Sequence, residues 1–272
     1  GSMGGTVRVI FNKADTREYS GSVDVMGAAM EEGEASYYAK GVVNVPLIED
    51  KLGARLVLYE EQRGGFIDNI RYGAEDINDR ITTGGRVMVT ALPLDNVSWH
   101  GMFMRQKTDS PGGGSTWYPL LGEKEYSTDR YVIPINRDEL TLYSSDLEWD
   151  VGFADITWAA AYYEWDQVNA SDYTYTMLRN STSVANCTNW FNLSLGVPTS
   201  SCNSQQLAQF TAFAISQTPT TLYKPAWLHT FNSELRISSK GDSKLNWTFG
   251  AFIEKREDYV DSTLAVVDSS TG

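Results

Sequence analysis

The chain has 272 residues, enough for one large all-β domain or two ordinary ones, and 42% apolar with 12% aromatic residues is not a disordered composition. A formal charge of −13 excludes a non-specific nucleic-acid partner and a bare anionic membrane surface; cationic ligands, divalent ions or a lipopolysaccharide-type surface bridged by such ions suit it better. No run approaches the roughly 18 apolar residues of a spanning helix, and Gly1-Ser2-Met3 opens on a glycine-rich stretch without a secretion signal. Neither observation weighs against a membrane barrel, whose strands give weak hydropathy signals.

In chain order, residues 1–13 read as a glycine-rich turn feeding one strand, and 19–29 as a second strand. The stretch 35–65 organises the rest. Tyr37, Ala39, Gly41, Val43 and Val45 share one parity, with Lys40 and Asn44 on the other. After a polar turn at Ile48–Lys51, Ala54, Leu56 and Leu58 oppose Arg55, Val57, Tyr59 and Glu61. A period of two sends successive side chains to opposite faces of a sheet, one suited to hydrocarbon and one to water. Pro46 stands at the strand end, where a missing N–H breaks no ladder bond.

A polar loop at about 66–80 leads to a strand at 81–93, the turn Pro93-Leu94-Asp95-Asn96, and a return strand at 97–107 with Val97, Trp99, Gly101 and Phe103 on one face. A second loop spans about 108–136. The segment 138–167 is a hairpin turning at Val151-Gly152-Phe153, and a third, very long loop covers about 168–227. Within that loop, Leu207, Phe210 and Ala214 fall at helical spacing. The last hairpin, 229–257, turns at Lys240-Gly241-Asp242-Ser243 and carries Leu245, Trp247, Phe249, Ala251 and Ile253 on one face.

Short turns at one end alternate with long loops at the other, an asymmetry that belongs to membrane barrels more than to sandwiches or propellers. Tyr37, Tyr59, Trp99, Trp149, Trp158, Trp165 and Trp247 lie near strand ends, as interfacial girdles require. The expected fold is therefore an all-β, antiparallel up-and-down barrel, partial or closed at smaller size, with about 9–10 strands and long loops at one end.

No HExxH, GxSxG or Walker pattern occurs, and Gly112-Gly113-Gly114 has no strand–turn–helix context. The two histidines, His100 and His229, fall at opposite ends of such a barrel, and pairs among carboxylates as numerous as Asp146, Glu148, Asp150, Glu164 and Asp166 arise by chance. No catalytic residue, metal ligand or cofactor is assigned. Cys187 and Cys202, alone in one polar loop, suggest a disulfide in an extracytoplasmic setting, against the plainer reading of two flexible thiols. The polar strand face offers Lys40, Arg55, Arg86, Arg105, Glu234 and Arg236 as lumen-lining or ligand-binding candidates; the plain alternative is that they only keep an interior wet.

Gly4-Gly5-Thr6-Val7-Arg8-Val9-Ile10 with Asn12-Lys13 resembles the end of the plug domain of TonB-dependent outer-membrane receptors. The segment GVVNVPLIEDKLGARLVLYEEQRGGFIDN resembles that family's early barrel hairpin, and FNSELRISSKGDSKLNWTFGAFIEKRE a mid-barrel hairpin. The resemblance implies that 1–15 is the last strand of a plug and 16–272 the N-terminal part of a barrel. The chain shows no energy-coupling box, and its ending, VVDSSTG, lacks the terminal aromatic strand of complete barrels. The implied parent is a receptor for an iron chelate, a cobalamin-like ligand or an oligosaccharide, in the outer membrane of a Gram-negative bacterium. Outer-membrane lipid and, in the intact parent, a TonB-type energy-coupling protein are its implied partners. The rival reading is a soluble, smaller closed barrel whose own pocket binds small molecules or weakly hydrolyses activated esters.

Overall fold

The computed structural model describes residues 10–112, 125–241 and 245–270. Its body is one ten-stranded antiparallel sheet, from which the sequence motif at 1–9 and the middle of the second loop fall outside the described residues. The strands are β1 (Ser20–Ala28), β2 (Ser36–Ile48), β3 (Leu52–Arg63), β5 (Arg80–Leu94), β6 (Val97–Asp109), β8 (Ile135–Asp150), β9 (Ala154–Asp172), β10 (Thr220–Ser239), β11 (Thr248–Val260) and β12 (Thr263–Val266). Two short strands, β4 (Asp68–Asn69) and β7 (Ser127–Thr128), pair in parallel among the loops. Sheet neighbours follow chain order from β1 to β11, so the topology is an up-and-down meander. β12 continues the path of β11 along β10 beyond Asp261, whose N–H donates to the Pro225 carbonyl at 3.0 Å. Pro225 brings no N–H of its own, so the ladder breaks there.

The alternation read from the sequence sets the register. Val42, Val57, Arg86, Met104, Leu142, Tyr163, Thr230 and Arg256 form one transverse row; Gly41, Leu58, Gly85 and Arg105 form the neighbouring row on the other face. We call the face that carries residues 10–18 the inner face. There Val42, Val57 and Met88 are buried, with Phe11, Tyr59 and Met102 packed on them. The outer face holds Val43, Leu56, Leu58, Val87, Phe103, Leu235, Phe249 and Ile253, all exposed.

The sheet does not close. Among the described residues the smaller closed barrel, one of the two forms expected, is therefore not formed. β1 and β11 both run from the turn end toward the loop end, so joining them would need a parallel pair in an otherwise antiparallel sheet. Residues 10–13, expected as strand, belong to no ladder.

The strands run past the expected loop boundaries: β9 continues to Asp172 and β10 begins at Thr220. Between them lie α1 (Thr174–Asn180), α2 (Val184–Asn189), a single π turn (Trp190–Ser194) and α3 (Ser204–Ser216). α3 starts at a capping box, Asn203 accepting from the Gln206 N–H while the Gln206 side chain accepts from the Asn203 N–H. No described helix is long and apolar enough to cross a membrane, which says nothing of strands.

Candidate functional site

Register places five of the six polar candidates on the inner face. Lys40 lies on β2, Arg55 on β3, Arg86 on β5, and Glu234 and Arg236 on β10. They do not form one cluster. Lys40 pairs with Asp24 across β1 at 3.4 Å, while Arg236 and Glu234 pair with each other two residues apart on β10. Arg105 is a correction. It shares parity with Phe103 and faces outward, exposed, paired with Glu139.

The physical reason for Arg105 is visible in the rows around it. Phe103, Tyr143, Tyr162 and Phe231 form a transverse aromatic row on the outer face, with ring centroids 5.1 Å apart for the first pair and 6.4 Å for the second. The next row toward the loops is Arg105, Thr141, Glu164, His229 and Glu257. Apolar side chains thus give way to charges directly beyond an aromatic row. On β2, β3 and β5 the change comes one row later, at Glu60 and Thr83, because tilted strands stagger the register. Tyr59 and Trp165, expected in the girdle, face inward.

Residues 10–18 are fastened to the inner face near the turn end. Asn44, 1% exposed, accepts from the Asp15 N–H at 2.9 Å and donates to the Asp15 and Glu18 carbonyls at 3.0 and 2.8 Å. Gly53 makes room, since a Cβ there would lie 2.3 Å from the Asp15 carbonyl oxygen. The Thr16 carbonyl accepts from the Asp50 N–H in the β2–β3 turn at 3.1 Å.

At the opposite end, three loops are tied into a cap. The β4–β7 pair joins the first two. Asn69, fully buried, donates to the Arg130 carbonyl at 3.0 Å, and Arg71 donates to the Asp129 carbonyl at 2.8 Å while lying 3.6 Å above the Tyr131 ring. Tyr175 on α1 donates to the Asp129 carboxylate at 2.6 Å, and Asp172 accepts from the Tyr131 and Thr174 N–H groups at 2.9 and 2.8 Å. Burial, and then the bond to Asp129, push the Tyr175 phenol up to about 12. A cavity of about 550 Å³ beside Arg71, Tyr72 and Tyr131 reaches Pro219 and Ser270. The sequence pointed to these loops as regions and to none of these residues; the only signal was the density of Tyr, Arg and Asp in 126–131.

Cys187 and Cys202 are bonded, closing the helical loop around Phe191, Phe210 and Trp190. His100 faces inward, 3.1 Å from Thr90 Oγ1, and His229 faces outward, stacked on Trp227. Among the described residues no three His, Cys, Asp or Glu side chains converge as a metal site.

With this geometry in hand, comparison with solved structures finds the ferric yersiniabactin uptake receptor FyuA from Yersinia pestis, at a TM-score of 0.64 and 14% identity over 94% of this chain. The likeness is one of fold. This chain spans about a third of that receptor's length, covering 33% of it. No protein-family profile matches the sequence, and no curated protein matches it.

Proposed function

We propose that this chain is a fragment of a TonB-dependent outer-membrane receptor for active uptake of a scarce nutrient, carrying part of the barrel wall. In this reading residues 1–15 are the last strand of the plug and its tail, and 16–272 the N-terminal part of the barrel. The outer face meets lipid, and the turns face the periplasm. The loop-end cap with Arg71, Tyr131 and Tyr175 helps select an iron chelate, a cobalamin-like ligand or an oligosaccharide outside the cell. A TonB-type protein supplies energy to the intact parent. The work is binding and transport, and the reading assigns no covalent chemistry to the chain.

One observation carries it: a single sheet with a polar face that holds residues 10–18, and an exposed apolar face bounded by an aromatic row and a charged row. Soluble monomers rarely expose contiguous apolar patches beyond a few hundred Å², and this one spreads across β1 to β11. In a bilayer the free edges of β1 and β11 need partner strands, because open edges are not tolerated in hydrocarbon. The test is extraction of the chain from lipid vesicles by alkaline carbonate. Retention with the lipid is expected. Recovery as a monodisperse species without any amphiphile would overturn the reading.

A further inference from the structure

Two guanidinium groups on the inner face have donors that the described chain does not satisfy. The Nε atoms of Arg80 and Arg86 are each sealed from solvent without a hydrogen-bond partner. Both side chains line the same cavity, of about 420 Å³. Lys40, Tyr59 and Gln106 line it from one transverse row, which Gly84 completes. The Tyr59 ring lies flat over Gly84, where a Cβ would stand 2.4 Å from the phenol oxygen, and donates to Gln106 Oε1 at 2.6 Å.

Arg86 closes the side toward the turns, with its guanidinium 4.5 Å above the Phe11 ring. Arg80 closes the side toward the loops, directly opposite Arg63 in the register, an unfavourable pairing of like charges. One carboxylate serves both: Glu61 accepts from Arg63 Nε at 2.7 Å and stands 3.7 Å from Arg80. Lys40 has its own partner, Asp24, on the far side. Among the described residues, the carboxylates paired with Lys40, Arg63 and Arg80 around the cavity are those of Asp24 and Glu61, in a chain whose overall charge is −13.

We infer that this pocket binds a small molecule bearing carboxylates or comparable oxyanions. Planar guanidinium forks match a carboxylate in shape and charge, and a buried charge-assisted bond is worth more than a neutral one. Lys40 adds a mobile point charge, and the Tyr59 ring offers an apolar surface to the body of the molecule. The volume falls within the range of small-molecule sites. A metal cation is repelled there, and a neutral sugar brings no counter-charge to Arg86 or to Arg80, which shares Glu61 with Arg63. Placing the pocket on a transport path, and so favouring an anionic nutrient, rests on the proposed receptor reading; binding itself does not.

The experiment is isothermal titration of citrate into the full chain in detergent, at two salt concentrations. It includes Arg86→Gln, Arg80→Gln and Lys40→Gln, with Arg236→Gln as an inner-face control and circular dichroism to confirm strand content. Saturable binding is expected, weaker at high salt, reduced about tenfold in Arg86→Gln and Arg80→Gln, less in Lys40→Gln, and unchanged in Arg236→Gln. Absence of saturable binding to folded wild type would overturn the inference. So would equal loss in Arg236→Gln, which would mean diffuse attraction. A tetraglutamate peptide that binds more tightly than citrate with the same variant profile would also overturn it, assigning the pocket to a protein segment. Each outcome is independent of carbonate extraction, so failure here and failure of the membrane reading are distinguishable.

Discussion

Asn44 shows how one polar side chain decides where a segment of chain goes. It sits among Val42, Val57 and Met88, and its amide is saturated by the backbone of Asp15 and Glu18. Asn44→Ala removes three hydrogen bonds to part-buried backbone groups and should cost about 1 kcal/mol. Hydrogen exchange should show it as faster exchange of the Asp15 amide with β5 and β6 unchanged; an unaltered Asp15 amide would refute the fastening. A titration tests the loop-end cap. The raised pKa of Tyr175 means that the fold favours the neutral phenol, so this contribution is complete below pH 10 and disappears as pH rises through about 12. In protein labelled at tyrosine Cζ, one resonance should titrate near 12 and vanish in Tyr175→Phe; tyrosines that all titrate near 10 would contradict the cap. At this scale the sequence was a partial guide. The parity that put Phe103 with Val97, Trp99 and Gly101 also carries Arg105 outward, and charge alone misassigned it to the wet face. Nothing in the sequence reveals that Tyr59 lies over Gly84 or that Asn44 holds Asp15, because those contacts join strands and segments far apart in the chain.

Elements were more legible where one face is apolar and the other polar. The hairpins around Asp50 and Gly152 follow directly from alternation and turn residues, and so do the paired strands on either side of Gly241, where Asp242 and Ser243 of the expected turn lie outside the described residues. Alternation fades where strands leave the apolar zone: Asn169-Ala170-Ser171-Asp172 and Thr220-Thr221 still pair, yet both of their faces are polar or small, so they read as loop. The helical loop is held differently. Its core is Cys187, Phe191 and Phe210, and the disulfide joins residues 15 apart. Cross-linking a loop of that size should stabilise it by about 3 kcal/mol. Thiol titration of denatured, unreduced protein should find no free thiol. The Cys187→Ser/Cys202→Ser double variant should exchange α3 amides faster while the β8 and β9 amides stay protected. Equal protection in both proteins would show that the helices stand without the cross-link.

Across the whole molecule, the account depends on which face meets lipid. Leu235 lies in the outer-face row of Trp99, Leu147, Trp158 and Ala251, two rows on the turn side of the aromatic belt. Leu235→Arg should cost about 2–4 kcal/mol in vesicles, whereas Trp247→Arg, at the turn end, should cost about 1 kcal/mol or less; urea unfolding midpoints in vesicles would show the difference. Spin labels placed singly at each position from 230 to 237 on β10 provide the most direct measurement, with collision rates read against oxygen and a polar nickel complex. The account predicts strict alternation: Phe231, Ser233, Leu235 and Ile237 accessible to oxygen, and Asn232, Glu234 and Arg236 to nickel, with the buried Thr230 shielded from both. Uniform accessibility along the strand, or the opposite phase, would contradict it.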